Sequence, residues 1–191
     1  RVRRMNLRQF ARAQARIALA TARLIARVLR PFLIPELNLR DWVDVLATIY
    51  PVVEKHRWES AQNGRSYYDY EREQHGLPRQ EELLDTYDFD HFRESMDKYR
   101  EDFIQKDAPE HVLDQIVAES TKQVENGGRR QIIKSVEKAP ERLNPNKIVG
   151  WARVATGAET CAWCLMMVSR GPVYQFASTA GIDLDDSTAL D

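Results

Sequence analysis

The run Arg4-Met-Asn-Leu-Arg-Gln-Phe-Ala-Arg-Ala-Gln-Ala-Arg-Ile-Ala-Leu-Ala-Thr-Ala-Arg-Leu-Ile-Ala-Arg-Val-Leu-Arg-Pro31 decides how this chain is built. At about 100° per residue, Arg4, Arg8, Arg12, Arg16, Arg23, Arg27 and Arg30 fall within an arc of roughly 140°. Leu7, Phe10, Ile17, Leu24, Ile25 and Val28 fall on the opposite side, with Leu29 beside them. The pattern is a two-faced helix. Alanines fill much of the rest and favour the helical state. Pro31 stops it, because proline has no N–H to donate. About 27 residues at about 1.5 Å each make a rod of roughly 40 Å.

Outward from this arm, the charge ledger of the 191-residue chain changes meaning. The net charge is −1, from 28 Lys and Arg against 29 Asp and Glu. Residues 1–30 hold nine arginines and no acid, so the other 19 basic residues face 29 acids, a balance of −10. A strongly basic arm is joined to an acidic body. Hydrophobic residues are 43% and charged residues 30%, which argues for a folded chain and against wholesale disorder. No apolar run approaches the ~20 residues of a membrane helix, and no signal peptide is visible. Arg1 in place of Met suggests a start upstream or a processed one.

The periodicity after the arm stays helical. Asn38 is a candidate N-cap for a helix with Trp42, Val45, Leu46 and Ile49, which Pro51 kinks or restarts. The helix continues, more polar, to a break at Gly76-Leu77-Pro78. Phe89, Phe92, Met96, Tyr99 and Phe103 recur at steps of 3, 4, 3 and 4, one apolar helical face. Pro109 opens another helix, which Gly127-Gly128 is expected to interrupt, and Pro140 and Asn144-Pro145 end the helical part. The expected fold is mainly α: a long amphipathic helical arm over 1–31, a helical body over 36–144, and a small α+β or irregular module over 145–191. That module holds the only cysteines and reads as truncated in its acidic tail.

Those cysteines, Cys161 and Cys164, form a C-x-x-C. Such a pair fits three states: two packed thiols, a redox pair, or half of a tetrahedral zinc site. A redox role is disfavoured by the absence of a βαβ pattern. His56, His75, His91 and His111 lie far upstream with no ligand spacing.

The run Gly150-Trp-Ala-Arg-Val-Ala-Thr-Gly-Ala-Glu-Thr-Cys-Ala-Trp-Cys-Leu-Met-Met-Val-Ser-Arg-Gly-Pro-Val-Tyr174 resembles the C-terminal module of the Mu F-like minor head proteins of tailed bacteriophages, in particular the versions from phages of actinobacteria. That family shows Arg-x-x-x-Thr-Gly, a C-x-x-C and a Gly-x-x-Tyr/Phe, usually followed by a His-x-x-Cys-x-Cys element. Cys161 and Cys164 match the first pair, and Gly171 to Tyr174 match the turn and strand. The His/Cys element does not occur in this chain, so zinc would need ligands beyond residue 191.

The resemblance implies a virion structural role: several copies around the portal ring, inside the head, contacting portal protein and assisting assembly, packaging or ejection. Major capsid protein, scaffold and packaged double-stranded DNA are further partners it implies. Related chains are sometimes labelled capsid maturation proteases, so a protease or other zinc-dependent head enzyme is the alternative. The residues here do not support catalysis. Ser169 stands in Val-Ser-Arg-Gly rather than in a nucleophile elbow, and no His or Asp is placed to partner it.

The arm has three uses open to it. It can contact nucleic-acid phosphates, lie on a membrane, or dock its apolar face (Leu7, Phe10, Ile17, Leu24, Val28) on a partner while the arginines meet acids. Arginine without lysine suits bidentate pairing with carboxylate or phosphate. The lack of an interfacial Trp weakens the membrane use. Portal docking is the favoured expectation, with DNA contact close behind and a free DNA-binding accessory factor as a weaker third role. Tyr67, Tyr68 and Tyr70, near Arg65 and Arg72, are a candidate stacking cluster for nucleic acid, with half-buried packing the plainer expectation.

Overall fold

In the computed structural model, residues 5–32, 39–104 and 110–139 are described. They are mainly helical, with no strand among them. In chain order come α1 (Leu7–Leu29), a 3₁₀ turn (Arg30–Phe32), α2 (Leu39–Gln74), α3 (Phe89–Met96), a second 3₁₀ turn (Asp97–Tyr99), α4 (Arg100–Ile104) and α5 (Glu110–Glu137). The chain divides into two compact units, residues 1–135 and 136–191, and α1 belongs to the first. The module over 145–191, with Cys161, Cys164, Ser169, Trp151 and Trp163, lies outside the described residues.

α1 is shorter than its periodicity suggests, at 23 residues and about 35 Å. Asn6 sets its start. Its side chain accepts from Gln9 N, and Gln9 Oε1 accepts from Asn6 N, both at 3.0 Å. Two of the donors that a helix start leaves open are met this way. α2 begins at Leu39 and runs 36 residues straight through Pro51. The bond that Pro51 removes would have reached the Ala47 carbonyl. Ala47 and Pro51 are both exposed, so the freed carbonyl is open to solvent rather than buried without a partner. α2 ends in a Schellman turn. Leu77 N donates to Arg72 O at 2.9 Å and Gly76 N to Glu73 O at 3.1 Å, with Gly76 at φ 67°.

The core joins the apolar stripes of all these helices. Ile25 and Leu29 of α1 meet Trp42, Val45, Leu46, Ile49 and Val53 of α2, Phe92 and Met96 of α3, Phe103 of α4, and Val112, Ile116 and Val124 of α5. Trp42 and Phe103 rings lie 5.2 Å apart. The stripe expected over 89–103 is present, but the backbone divides it into α3, a turn and α4, with Phe89 and Tyr99 half-buried at its edge.

Gly127-Gly128 does not interrupt α5. Helix and glycines coexist because these residues mark where helices touch. A Cβ on Gly127 would stand 2.5 Å from Arg57 O, and one on Gly64 2.5 Å from Gly128 O. Only a residue without a side chain lets α2 and α5 approach this closely. Gly128 N also donates to Ser60 Oγ at 2.9 Å.

Residues 77–88 have no regular structure, yet they are held along their length. Asp69 Oδ1 accepts from Gln80 N at 2.9 Å. Gln131 clasps the next residues, accepting from Leu84 N at 2.7 Å and donating to Glu82 O at 2.8 Å. Arg57 then grips Asp85 through two bonds of 2.7 and 3.0 Å, and donates to Gln123 O at 2.6 Å. Its guanidinium lies 3.9 Å from the Tyr87 ring centre. Buried polar side chains thus supply the partners that an irregular backbone lacks.

Candidate functional site

The most distinctive surface is the outer face of α1, and the inner face of the same helix fixes its direction. α1 runs antiparallel to α2. Phe10 stacks on Tyr67 with ring centres 5.2 Å apart and planes 15° apart. One helical turn on, Ser60 Oγ donates to Gln14 Oε1 at 2.8 Å, and Gln14 Nε2 donates to Ser60 O at 3.2 Å. Further along, Thr21 Oγ1 donates to Ile17 O at 2.8 Å and lies 2.8 Å from His56 Nδ1. The Thr21 proton is committed to Ile17, so His56 Nδ1–H is the donor in that contact. Burial pushes His56 below its ordinary value, with Lys55 adding to that and Glu59 opposing it.

This seam consumes most of the apolar face proposed for an outside partner. Phe10 is stacked inside the chain, and Ile17 and Val28 pack against the core. Leu7 and Leu24 remain exposed at 37% and 40%. With the seam facing inward, the arginines face outward. Arg8, Arg12, Arg16, Arg23, Arg27 and Arg30 are all exposed, and among the described residues none forms an ion pair with an acid. Arg4 lies outside the described residues. Acids of the body pair elsewhere: Asp85 with Arg57, Asp69 with Arg79, Glu119 with Lys98.

Beside the seam lies an open cleft of about 410 Å³, lined by Met5, Ala13, Arg16, Ile17 and Ala20 from α1 and its lead-in and by His56, Glu59, Gln62 and Asn63 from α2. The tyrosine cluster is drawn into packing. Tyr67 is stacked on Phe10, and burial followed by Glu71 raises its hydroxyl above the ordinary value. Tyr68 donates to Ser135 O at 3.2 Å, with Arg72 over its ring at 5.7 Å. Among the described residues no three His, Cys, Asp or Glu side chains are grouped to hold a metal ion. No described helix is long and apolar enough to cross a membrane.

Sequence reasoning did not single out Arg57, Asp69 or Gln131, whose burial is visible only once the 77–88 segment is placed. Nor did it read Gly127-Gly128 as a crossing. Two adjacent glycines inside an otherwise sustained helical period were the signal for it.

Residues 1–188 are matched by a family model described as VG15 protein. It is 38% identical over 177 residues to the Gene 15 protein of Mycobacterium phage D29, an alignment covering 92% of this chain and 63% of that protein. It is 35% identical over 197 aligned positions to the Gene 15 protein of Mycobacterium phage L5, covering 98% of this chain and 66% of that one. The chain therefore spans just under two thirds of either relative. No solved structure matches it.

Proposed function

Because the chain belongs to the VG15 protein family and is related to two mycobacteriophage gene products, we propose that it is a minor head protein of a phage particle, docked at the portal vertex inside the capsid. It assists head assembly, genome packaging or ejection and has no catalytic step of its own. The observation that carries this reading is the Gly150–Tyr174 run, with its Mu F-like order of Arg-x-x-x-Thr-Gly, C-x-x-C and Gly-x-x-Tyr, on a chain whose relatives are phage products. The helical unit supports it as well. Buried polar groups there hold backbone in place, as Arg57 on Gln123 O and Gln131 on residues 82 and 84 do.

The test is quantitative mass spectrometry of purified heads. The protein should be present in a fixed ratio to portal protein and should co-purify with portal from lysed cells. Absence from assembled heads overturns the proposal. The non-enzymatic part is tested separately. Cys161→Ser and Ser169→Ala should leave capsid-protein processing intact in particles that assemble, and loss of processing in either variant would establish the enzyme instead.

A further inference from the structure

We propose that the arginine face of α1 binds the phosphate backbone of double-stranded DNA without reading its sequence. The inference stands on the geometry of α1 and does not rest on the portal reading. From Arg8 to Arg30 the face extends over 22 residue steps, about 33 Å at 1.5 Å each, close to one turn of B-form duplex. A duplex of that length carries roughly 20 phosphates. Six exposed arginines point along that span, no acid precedes Glu36 in the chain, and no acid among the described residues pairs with them.

The inward face of α1 separates a nucleic acid from an acidic protein as the occupant. Protein interfaces are built around an apolar core from which charge is depleted. Nucleic-acid interfaces are strongly positive and need no such core. Phe10, Ile17, Ile25, Val28 and Leu29 of the apolar stripe are packed inside the chain, Leu7 and Leu24 stay exposed at its edges, and what lies between the arginines is alanine (Ala15, Ala22, Ala26) with Leu19. Small residues between long cationic side chains let a duplex approach while each guanidinium fork reaches a phosphate bidentately. Arginine can read a guanine edge only when its fork is held in one direction, and no bond among the described residues fixes these six side chains, so the contact is with phosphate.

The experiment is fluorescence anisotropy of the purified 191-residue chain with a labelled mixed-sequence duplex of about two helical turns. The salt series is run alongside poly-L-glutamate of comparable charge. Six phosphate contacts predict a log–log salt slope near −5 and a loss of affinity of roughly 10³-fold between about 50 and 200 mM salt. Arg8→Gln/Arg12→Gln/Arg16→Gln should cut that slope by about half, while Arg100→Gln/Arg129→Gln leaves it unchanged and circular dichroism reports the same helix content for all three proteins. An unchanged slope in the α1 variant overturns the proposal. Tighter binding to poly-L-glutamate than to duplex also overturns it, in favour of an acidic protein partner. Either outcome leaves the presence of the protein in heads to be decided by its own measurement.

Discussion

Arg57 shows how one residue organises a region that has no secondary structure. Its side chain is 2% exposed and that of Asp85 7%, so the pair is stripped of water, and two bonds to the carboxylate plus one to Gln123 O offset the desolvation. Removing one partner leaves the other charged and buried. Asp85→Ala should therefore destabilise the fold by about 3 kcal/mol or more, read from urea unfolding. Arg57→Met combined with Asp85→Leu should recover much of that loss, because no lone charge remains. Nothing in the local sequence marks Arg57 as internal. Its partner lies 28 residues ahead, across a helix end and an irregular segment, and an arginine in a polar stretch of α2 reads as surface.

His56 gives a pH signature at the same scale. Burial lowers its pKa below the usual 6.5, so between the folded value and 6.5 the unfolded chain binds a proton that the folded chain does not. This contribution is complete above pH 6.5 and is lost as the pH falls below it. Urea midpoints across a pH series should drop through that window, and His56→Gln should flatten that part of the curve. A His56→Gln profile with an undiminished drop would assign it to other groups.

At the scale of elements, the helices were legible because their information is local. Period, proline and glycine-proline breaks place α1, α2 and the apolar stripe of 89–103 without any knowledge of neighbours. Gly127-Gly128 shows where local reasoning ends. Intrinsic propensity disfavours glycine in a helix by about 1 kcal/mol, so the pair reads as a break, yet the penalty is outweighed by a contact 70 residues back along the chain, where Arg57 O would meet a Cβ at 2.5 Å. The prediction is a reversal of propensity. Gly127→Ala should destabilise by about 1–3 kcal/mol despite being the better helix former, because backbone atoms cannot step aside as a flexible side chain can. Gly76→Ala gives the contrasting case. No atom stands within 4 Å of its Cβ, so its loss of about 1 kcal/mol comes from φ 67° alone. Thermal denaturation of both variants, with a crystal structure of the Gly127 variant showing α2 and α5 moved apart, checks the two mechanisms.

For the whole molecule, the partition into a basic arm and an acidic body was present in the sequence, and so was the two-faced character of α1. The destination of each face was not. Amphipathicity states that one side will be covered, and only the fold of residues 1–135 shows that α2 covers it. The uncovered side is held at an electrostatic disadvantage. Arg8–Arg12, Arg12–Arg16, Arg23–Arg27 and Arg27–Arg30 are like-charge neighbours at three- or four-residue spacing, each unfavourable by about 0.2–0.5 kcal/mol, and Arg8 sits at the positive end of the helix dipole. Arg8→Gln with Arg12→Gln removes the Arg8–Arg12 and Arg12–Arg16 pairs and the cation at the positive end of the dipole, and leaves Arg27, which the negative end favours, in place. The doubly substituted protein should be more stable than the parent by roughly 1 kcal/mol at low salt, and the gain should fade near 1 M salt, where the screening length is about 3 Å. The same two substitutions should weaken duplex binding, so stability and binding move in opposite directions. A face that lowers the stability of its own helix and is covered by no acid among the described residues is what a phosphate-binding surface requires. A variant that lost stability and binding together would instead show these arginines to be part of the fold.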